Sequence, residues 1–397
     1  MSGLALVARE LGAHITDSDA KQTIYTESLA PSGVSGVVVG HDIVNVPEAP
    51  AEVVFSSAVR PENIERAEAR RKGLGEVHRS GLLTEFTALH ETVAVGGAHG
   101  KSSTAALLTH VLTSCGKDPS YVVGALLRPP GVHAGAGAGR TLVIEADESD
   151  KSLLNYQVHT AVVTNVDLDH VGDSGAYHDI SDVAKGLGEF ATRAKTTIVS
   201  AQAAEHLAPF VSKMTVVRPG LVDGEPMRFC LQGENYEVNQ PGEHQLHNAA
   251  LVVEVALTRG CAPEDIRAAL LTFPGLARRF ELRGRTAAGA RVYDDYAHHP
   301  VEWMRPWPPP ARSPVAGGSW RCSSRTCSPG HSSSSPSSST CSRPRTSHGS
   351  SPSTQPGKVL RCGRTSPSSS PPMSLTGHRR CRSPRAGRTS PGCCWTR

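Results

Sequence analysis

Hydrophobic residues in the first 302 positions alternate between short β-branched runs and longer segments with helical spacing. Four runs bounded by turn residues are typical of buried parallel strands, and they lie at residues 52–55, 92–95, 141–144 and 160–163. Helical spacing is found at residues 104–114 and 249–259. This alternation predicts an α/β fold, with helices layered on parallel sheets.

The same pattern suggests where domains begin and end. We predict a small first domain over residues 1–89 and a central domain over residues 90–283. A third domain starts within residues 284–302, with a strand at residues 291–294. Residues 303–397 are predicted to be a low-complexity tail, because they are rich in Ser, Pro, Arg, Gly and Cys and have no Ile or Phe. Such a composition cannot bury enough apolar area to offset the entropy of ordering.

The formal net charge of +4 averages two different pieces. All 37 acidic residues precede Trp303, whereas the tail has 15 Lys and Arg and holds seven of the ten Cys and all four Trp. We interpret this abrupt change as translation in a shifted reading frame, with a native disordered tail as the alternative. Since few aromatic residues accompany the basic ones, the tail argues against nucleic-acid binding.

Cysteine usage and hydropathy indicate the cellular compartment. Only Cys115, Cys230 and Cys261 precede the tail, which suits a reducing compartment without a disulfide framework. The sequence has no signal-peptide pattern and no apolar run near 18 residues. We therefore predict a cytoplasmic protein with no membrane partner; the sequence leaves its oligomeric state open.

A glycine-rich turn at residues 93–104 (VAVGGAHGKSST) follows a predicted strand and opens a predicted helix. Its backbone N–H groups and the helix N-terminus favour phosphate binding. Lys101 would reach the β- and γ-phosphates of ATP, and Ser102 would offer a hydroxyl to Mg²⁺. The strict pattern needs glycine at position 95, which is Val95, so an ordinary βα turn with a surface lysine is the alternative. The predicted nucleotide-binding residues of this loop are Gly97, Ala98, His99, Gly100, Lys101, Ser102 and Ser103.

Acidic residues follow the predicted strand at residues 141–144 directly. Residues 145–150 (EADESD) place four acids in six positions, which would repel one another unless a cation lies there. The next strand delivers Asn165 and His170 to the same sheet edge, where ligands bind in open α/β sheets. These residues predict a metal or phosphate site. A solvated acidic turn and a structural histidine are the alternatives.

These strings together resemble the Mur ligase family. Residues 97–103 resemble its G-T-H-G-K-T-T loop, and residues 145–150 followed by 164–170 resemble E-A-D-E-S-D and T-N-x-x-x-D-H. Residues 294–300 (DDYAHHP) are the most specific match. The resemblance covers residues 1–302. It implies a Rossmann-like UDP-sugar domain, a central ATP-binding domain with a parallel sheet, and a C-terminal ligase domain.

The resemblance also implies roles for single residues around Mg²⁺. Glu145 and His170 would be ligands of a second Mg²⁺, with Asn165 lining the site. The catalytic set would be Lys101, His170, Arg279 and His298, in which Lys101, Arg279 and two Mg²⁺ would stabilise the charge of the transferred phosphoryl group.

Three further strings complete the implied site. Residues 241–249 resemble P-G-x-H-N-x-x-N-A, which implies that Asn248 reads adenine; an N-cap is the interpretation without the resemblance. Residues 278–280 resemble R-R-F, which implies that Arg279 faces the ATP phosphates, the alternative being a solvated basic turn. By the same resemblance Asp295 would contact the nucleotide ribose, and His298 or His299 would face the acyl-phosphate region.

The resemblance implies an ATP-dependent ligase that joins L-alanine to UDP-N-acetylmuramate through an acyl phosphate in peptidoglycan precursor synthesis. The form of residues 145–150 favours this substrate pair over those of related enzymes. Another amide ligase of the same scaffold, of the Mur or folylpolyglutamate type, is one alternative. An inactive ATP-binding remnant is another.

The first residues, Met1-Ser-Gly-Leu-Ala, resemble the end of the family's glycine loop. By that resemblance the first domain lacks its first strand and most of the loop that would hold the UDP diphosphate. Together with the altered tail, this predicts weak or no ligase activity for the chain.

Overall fold

A computed structural model describes most of the chain through residue 295 and three short segments beyond it. The described residues are 1–27, 29, 31–128, 131–148, 151–168, 177–222, 224, 226–286, 291–295, 319–325, 340–342 and 357–363. The chain divides into two compact units, Met1–Ala277 and Arg278–Arg397. The predicted boundary between residues 283 and 284 falls inside a strand of the second unit.

Two small parallel sheets form the beginning of the first unit. One pairs β1 (Asp17–Asp19) with β2 (Val37–Val39), and the other pairs β3 (Glu52–Phe55) with β4 (Gly75–His78). Strand β3 occupies the residues that the hydrophobic pattern predicts. Helices accompany these strands and are α1 (Ser2–Glu10), α2 (Ile24–Glu27), α3 (Ile64–Arg71) and α4 (Arg79–Leu89), with a 3-10 turn at Ile43–Asn45.

A seven-stranded sheet forms the centre of the first unit. Its strands are β5 (Glu91–Gly96), β6 (Ser120–Val122), β7 (Ala134–Gly135), β8 (Thr141–Glu145), β9 (Thr160–Val163), β10 (Thr196–Ser200) and β11 (Thr215–Val217). Their order is β11-β10-β9-β5-β8-β6-β7, and every pairing is parallel except β6 with β7. Because β5 lies between β8 and β9, the carboxyl ends of these three strands meet at one edge.

Helices cover both faces of this sheet. They are α5 (Lys101–Ser114), α6 (Ile180–Arg193), α7 (Ala201–Leu207), α8 (Glu243–Thr258) and α9 (Pro263–Thr272), with a 3-10 turn at Ser152–Asn155. Helix α6 shows why the sequence folds this way. Its apolar positions recur at helical spacing on one face, and its first turn is capped by the Asp179 carboxylate, which accepts from the Asp182 N–H at 2.8 Å.

Alternate residues of the strands pack into two separate hydrophobic cores. Val93 and Val95 of β5 pack with α5, α8 and α9, while Ala94 between them packs with α4, α6 and α7. The neighbouring strand β8 repeats the pattern in register, since Val143, which pairs with Val93, belongs to the first core and Ile144, which pairs with Ala94, to the second. Burying a side chain of this size stabilises the fold by about 1.5–3 kcal/mol. The near-continuous apolar runs in the sequence follow from this coverage of both faces.

The first unit also contains a separate antiparallel sheet of three strands. It consists of β12 (Gly220–Val222), β13 (Met227–Leu231) and β14 (Glu234–Val238) in that order. Phe229 and Tyr236 stack across the β13–β14 pair with ring centroids 5.4 Å apart and turn toward the core that contains α8.

The second unit contains an antiparallel sheet of order β15-β16-β19-β17-β18. Its strands are β15 (Glu281–Arg285), β16 (Arg291–Asp295), β17 (Ser319–Arg325), β18 (Thr340–Ser342) and β19 (Gly357–Gly363). Strand β16 covers the strand predicted at residues 291–294, and the third domain itself stays a prediction. Three segments of the predicted tail thus continue this sheet, and the remainder of the tail lies outside the described residues.

The α/β fold class is confirmed, and so are the predicted elements. The strands predicted at residues 92–95 and 141–144 are each extended at their ends in β5 and β8, and the strand at residues 160–163 is β9 without change. The helix predicted at residues 104–114 is part of α5, and the one predicted at residues 249–259 lies in α8 except for Arg259, which follows its last turn. Among the described residues, none of the helices combines the length and apolar character needed to cross a membrane.

Candidate functional site

The turn between β5 and α5 is shaped by two glycines with positive φ. Gly97 has a φ of +119°, and a Cβ there would lie 2.4 Å from Thr164 Oγ1 and 2.8 Å from the Asn165 carbonyl oxygen. Gly100 has a φ of +82° and is the residue before the first turn of α5. Both positions demand glycine because a side chain would be strained and, at Gly97, would also collide with the backbone. The turn therefore leads directly into the helix N-terminus, as a phosphate-binding loop requires.

Lys101 is the first residue of α5, and its side chain folds back over the turn. Its Nζ donates to the Gly97 carbonyl at 2.7 Å and to the Ala98 carbonyl at 3.3 Å. It also lies 2.9 Å from both carboxylate oxygens of Glu148. The ammonium is therefore held within the loop, where a lysine that contacts phosphate oxygens would be needed.

Ser102 and Glu145 meet at the carboxyl end of β8. The Ser102 hydroxyl donates to Glu145 Oε2 at 2.9 Å. The other carboxylate oxygen accepts from the backbone N–H of Gly124, which follows β6. The two predicted metal ligands, one on α5 and one on β8, are thereby brought together, and the carboxylate is oriented from both sides.

The segment after β9 packs against the loop through polar contacts. The Asn165 side chain pairs with the backbone of His99 in both directions, accepting from its N–H at 2.9 Å and donating to its carbonyl at 2.8 Å. The Thr164 hydroxyl donates to the same carbonyl at 2.7 Å. His99 is buried, and its Nε2 lies 3.5 Å from Asp167 Oδ2. These bonds tie the loop to a second strand of the sheet, where the sequence places Asn165.

A glutamine on the next helix holds this segment in position. The Gln202 side chain on α7 accepts from the Val166 N–H at 2.9 Å and donates to the Val166 carbonyl at 2.6 Å. A side-chain amide that pairs both ways with one backbone unit fixes both its position and its orientation. Gln202 therefore fixes the backbone of the residue that follows Asn165. The sequence gives no signal for this contact.

Asn248 lies inside α8 and faces the loop. The helix begins at Glu243, so Asn248 is well past its first turn, and the N-cap interpretation is wrong. A Cβ on Gly100 would lie 2.9 Å from Asn248 Oδ1. The buried amide thus lies against the phosphate-loop backbone, although the contact it would make with adenine stays a prediction.

The remaining predicted site residues belong to the second unit or lie outside the described residues. Arg279 and Asp295 belong to the second unit, where the Asp295 carboxylate accepts from the Phe280 N–H at 3.4 Å. The Phe280 ring stacks on Tyr293 of β16 with centroids 4.4 Å apart. His170 and His298 lie outside the described residues. Their predicted roles, and those of Arg279 and Asp295, stay predictions.

Glu148 is a second residue of this site, besides Gln202, that the sequence did not single out. Its side chain is only 1% exposed, and burial raises the pKa of its carboxyl group although Lys101 acts in the opposite direction. The four acids among residues 145–150 predict a cation near them, and the Lys101 ammonium is one such cation. The sequence did not indicate which of the four acids would pair with Lys101.

The donor set at Ser102 and Glu145 fits a magnesium ion. Mg²⁺ prefers oxygen ligands and is commonly bound through one or two protein groups with waters or phosphates completing the shell. A hydroxyl and a carboxylate oxygen in contact supply such groups beside the phosphate loop. Within the described part of the chain, larger clusters of His, Cys, Asp or Glu suited to a metal are not found.

Comparison with known proteins agrees with this architecture. The model for the Mur ligase family, catalytic domain, matches residues 1–91. A UDP-N-acetylmuramate–L-alanine ligase of Bordetella pertussis is 36% identical, with 81% of this chain and 73% of that protein aligned. One of the same name from an Arthrobacter species is 37% identical, over 76% of this chain and 68% of that protein.

Solved structures show the same fold. A UDP-N-acetylmuramate–alanine ligase from Thermotoga maritima superimposes with a TM-score of 0.67 at 23% identity, covering 76% of this chain and 73% of that one. A murein peptide ligase from Psychrobacter arcticus gives 0.64 at 23% identity, covering 76% and 72%.

The fold and the loop define a protein built around a mostly parallel sheet with a glycine-rich turn at its carboxyl edge. The relatives specify the class further: the chain belongs to the Mur ligase family. It is therefore a ligase by family.

Proposed function

We propose that the chain is an ATP-dependent ligase that joins L-alanine to UDP-N-acetylmuramate in peptidoglycan precursor synthesis, with Mg²⁺ as its metal. The observation that carries this proposal is the meeting of Ser102 with Glu145, 2.9 Å apart, beside the glycine-rich turn. The substrates come from the names of the relatives described above. The family implies transfer of the ATP γ-phosphoryl group to the muramate carboxylate, after which the amine of L-alanine displaces phosphate.

The described residues divide this work by position. The N–H groups of the turn would bind phosphate oxygens, and Lys101 would neutralise part of their charge. Ser102 and Glu145 would hold Mg²⁺, which supplies charge neutralisation at the phosphates when it is bound. Because such sites act mostly through positioning and electrostatics, none of these side chains needs to act as a nucleophile.

The test is phosphate release by the full chain with MgATP and UDP-N-acetylmuramate, comparing L-alanine with D-glutamate. Release that depends on L-alanine and is lost in Lys101→Met supports the proposal. Lys185→Met, which removes an exposed lysine of α6, is the matched control and should leave release unchanged. D-glutamate outperforming L-alanine would refute the substrate assignment. Binding of MgATP without release for either amino acid would favour the ATP-binding remnant instead.

A further inference from the structure

The Lys101 ammonium is surrounded by oxygen acceptors of the protein itself. Four oxygens lie within 3.3 Å of Nζ: both carboxylate oxygens of Glu148 and the carbonyl oxygens of Gly97 and Ala98. An ammonium group has three N–H donors, so these acceptors already use its full capacity. A phosphate oxygen can reach this lysine only by replacing one of them.

The carbonyl oxygens are fixed parts of the turn, whereas the Glu148 carboxylate is carried by a side chain. Glu148 comes three residues after Glu145 at the end of β8, and its side chain is 1% exposed. The side chain of Lys101 is 15% exposed. An ion pair so far removed from water is weakly screened by salt, and each partner would be costly to leave alone.

A phosphate chain and Glu148 would carry the same sign of charge beside one cation. Both the phosphates proposed for this loop and the carboxylate need Lys101 as their partner. The pair therefore competes with the nucleotide, and the strength of this competition sets how tightly the loop binds.

We propose that Glu148 is a positioning residue, which holds Lys101 over the loop in the nucleotide-free protein and lowers the affinity for nucleotide phosphates by competing for its ammonium. This inference rests on the nucleotide binding proposed above. If Glu148 competes with the nucleotide, weakening its pair with Lys101 should tighten nucleotide binding. If Glu148 had a purely structural role, weakening the pair should weaken nucleotide binding.

The test compares variants of the full chain by calorimetric titration with MgATP. Glu148→Gln keeps the shape of the side chain and one oxygen acceptor but removes the charge, and it should bind MgATP about tenfold more tightly than the wild type. Glu148→Asp keeps the charge on a shorter side chain and should fall between the two. Glu189→Gln, at an exposed ion pair with Arg193 on α6, makes the same charge change away from the loop and should leave affinity unchanged.

The outcomes separate this inference from the proposed function. A wild-type chain that binds no MgATP would refute the nucleotide site and the competition with it. Binding by the wild type, with equal or weaker binding by a folded Glu148→Gln, would overturn the competition alone. Circular dichroism melting of each variant reports folding; if Glu148→Gln does not fold, Glu148→Asp decides by the same criterion. Failure of both to fold would also overturn the inference, because Glu148 would then be needed for folding itself.

Discussion

Ser2 and His133 are 131 positions apart in the sequence and are joined by a hydrogen bond of 2.8 Å between Oγ and Nε2. Both residues are buried, and the Tyr25 ring meets the imidazole edge-on with centroids 5.0 Å apart. This contact links the start of α1 to the residue before β7. Burial lowers the pKa of His133 to about 4, so the imidazole is neutral at neutral pH.

A pH dependence of stability follows from that histidine. Its pKa is about 4 in the folded chain, against an ordinary value of 6.5, so between these values the unfolded chain binds more protons. The contribution of neutral His133 to stability is therefore fully present above pH 6.5 and is lost as the pH falls toward 4. We expect the free energy of unfolding to fall by about 2 kcal/mol between pH 7 and pH 5 because of this group. Urea unfolding at both pH values measures it. His133→Gln cannot titrate and should show a smaller difference; equal differences in the two proteins would rule this out.

Substitution of Gly97 should damage both stability and binding. Gly97→Ala combines a positive φ with a Cβ only 2.4 Å from Thr164 Oγ1, so we expect a loss of about 2–4 kcal/mol in unfolding free energy. MgATP binding should fall with it. Gly116→Ala is the matched control, since its φ is +69° and nothing lies within 4 Å of a Cβ there. The control should cost only about 1 kcal/mol and keep full binding. Similar losses in the two variants would show that contact with Thr164 is unimportant.

Ser102 should matter for binding only when magnesium is present. Ser102→Ala removes the hydroxyl that meets Glu145, and we expect MgATP affinity to fall about tenfold. Affinity for ATP measured with a chelator should hardly change. Ser102→Thr keeps the hydroxyl and serves as the control. An equal loss with and without magnesium would contradict a metal role for Ser102.

Substitution of Asn248 should weaken binding of the adenine base without affecting binding of the phosphates. If it reads adenine beside Gly100, Asn248→Ala should weaken ATP binding about tenfold and leave inorganic tripolyphosphate binding unchanged. His247→Ala, at an exposed neighbouring position of α8, is the control. Competition titrations against ATP give both values. A parallel loss for tripolyphosphate would instead make Asn248 a support for the loop.

Local patterns were sufficient to predict much of the fold. The strand at residues 160–163 is predicted to its exact length because all four residues are buried, so the apolar run coincides with the strand. The phosphate loop is equally local, since Gly97, Gly100 and Lys101 are close in sequence and their spacing carries the geometry. That Glu145 approaches Ser102 follows from one general rule about strand ends.

Contacts that depend on tertiary packing could not be predicted from the sequence. Glu148 is one of four acids near the same strand end, and only the turn after β8 determines which of them meets Lys101. Asn248 could equally have begun a helix, because the start of α8 is set by residues before it. The bond between Ser2 and His133 has no sequence signal, because no pattern in the sequence relates two positions so far apart.

The place of β5 at the middle of the sheet determines how the protein loses its structure. The amides of residues 93–95 are bonded to strands on both sides, and their side chains are locked into two cores at once. We therefore expect their hydrogens to exchange with solvent more slowly than those of the outer strands, which can detach at lower cost. Because the glycine-rich loop follows β5 directly, we expect it to keep its geometry in partly opened states in which the outer strands have already separated.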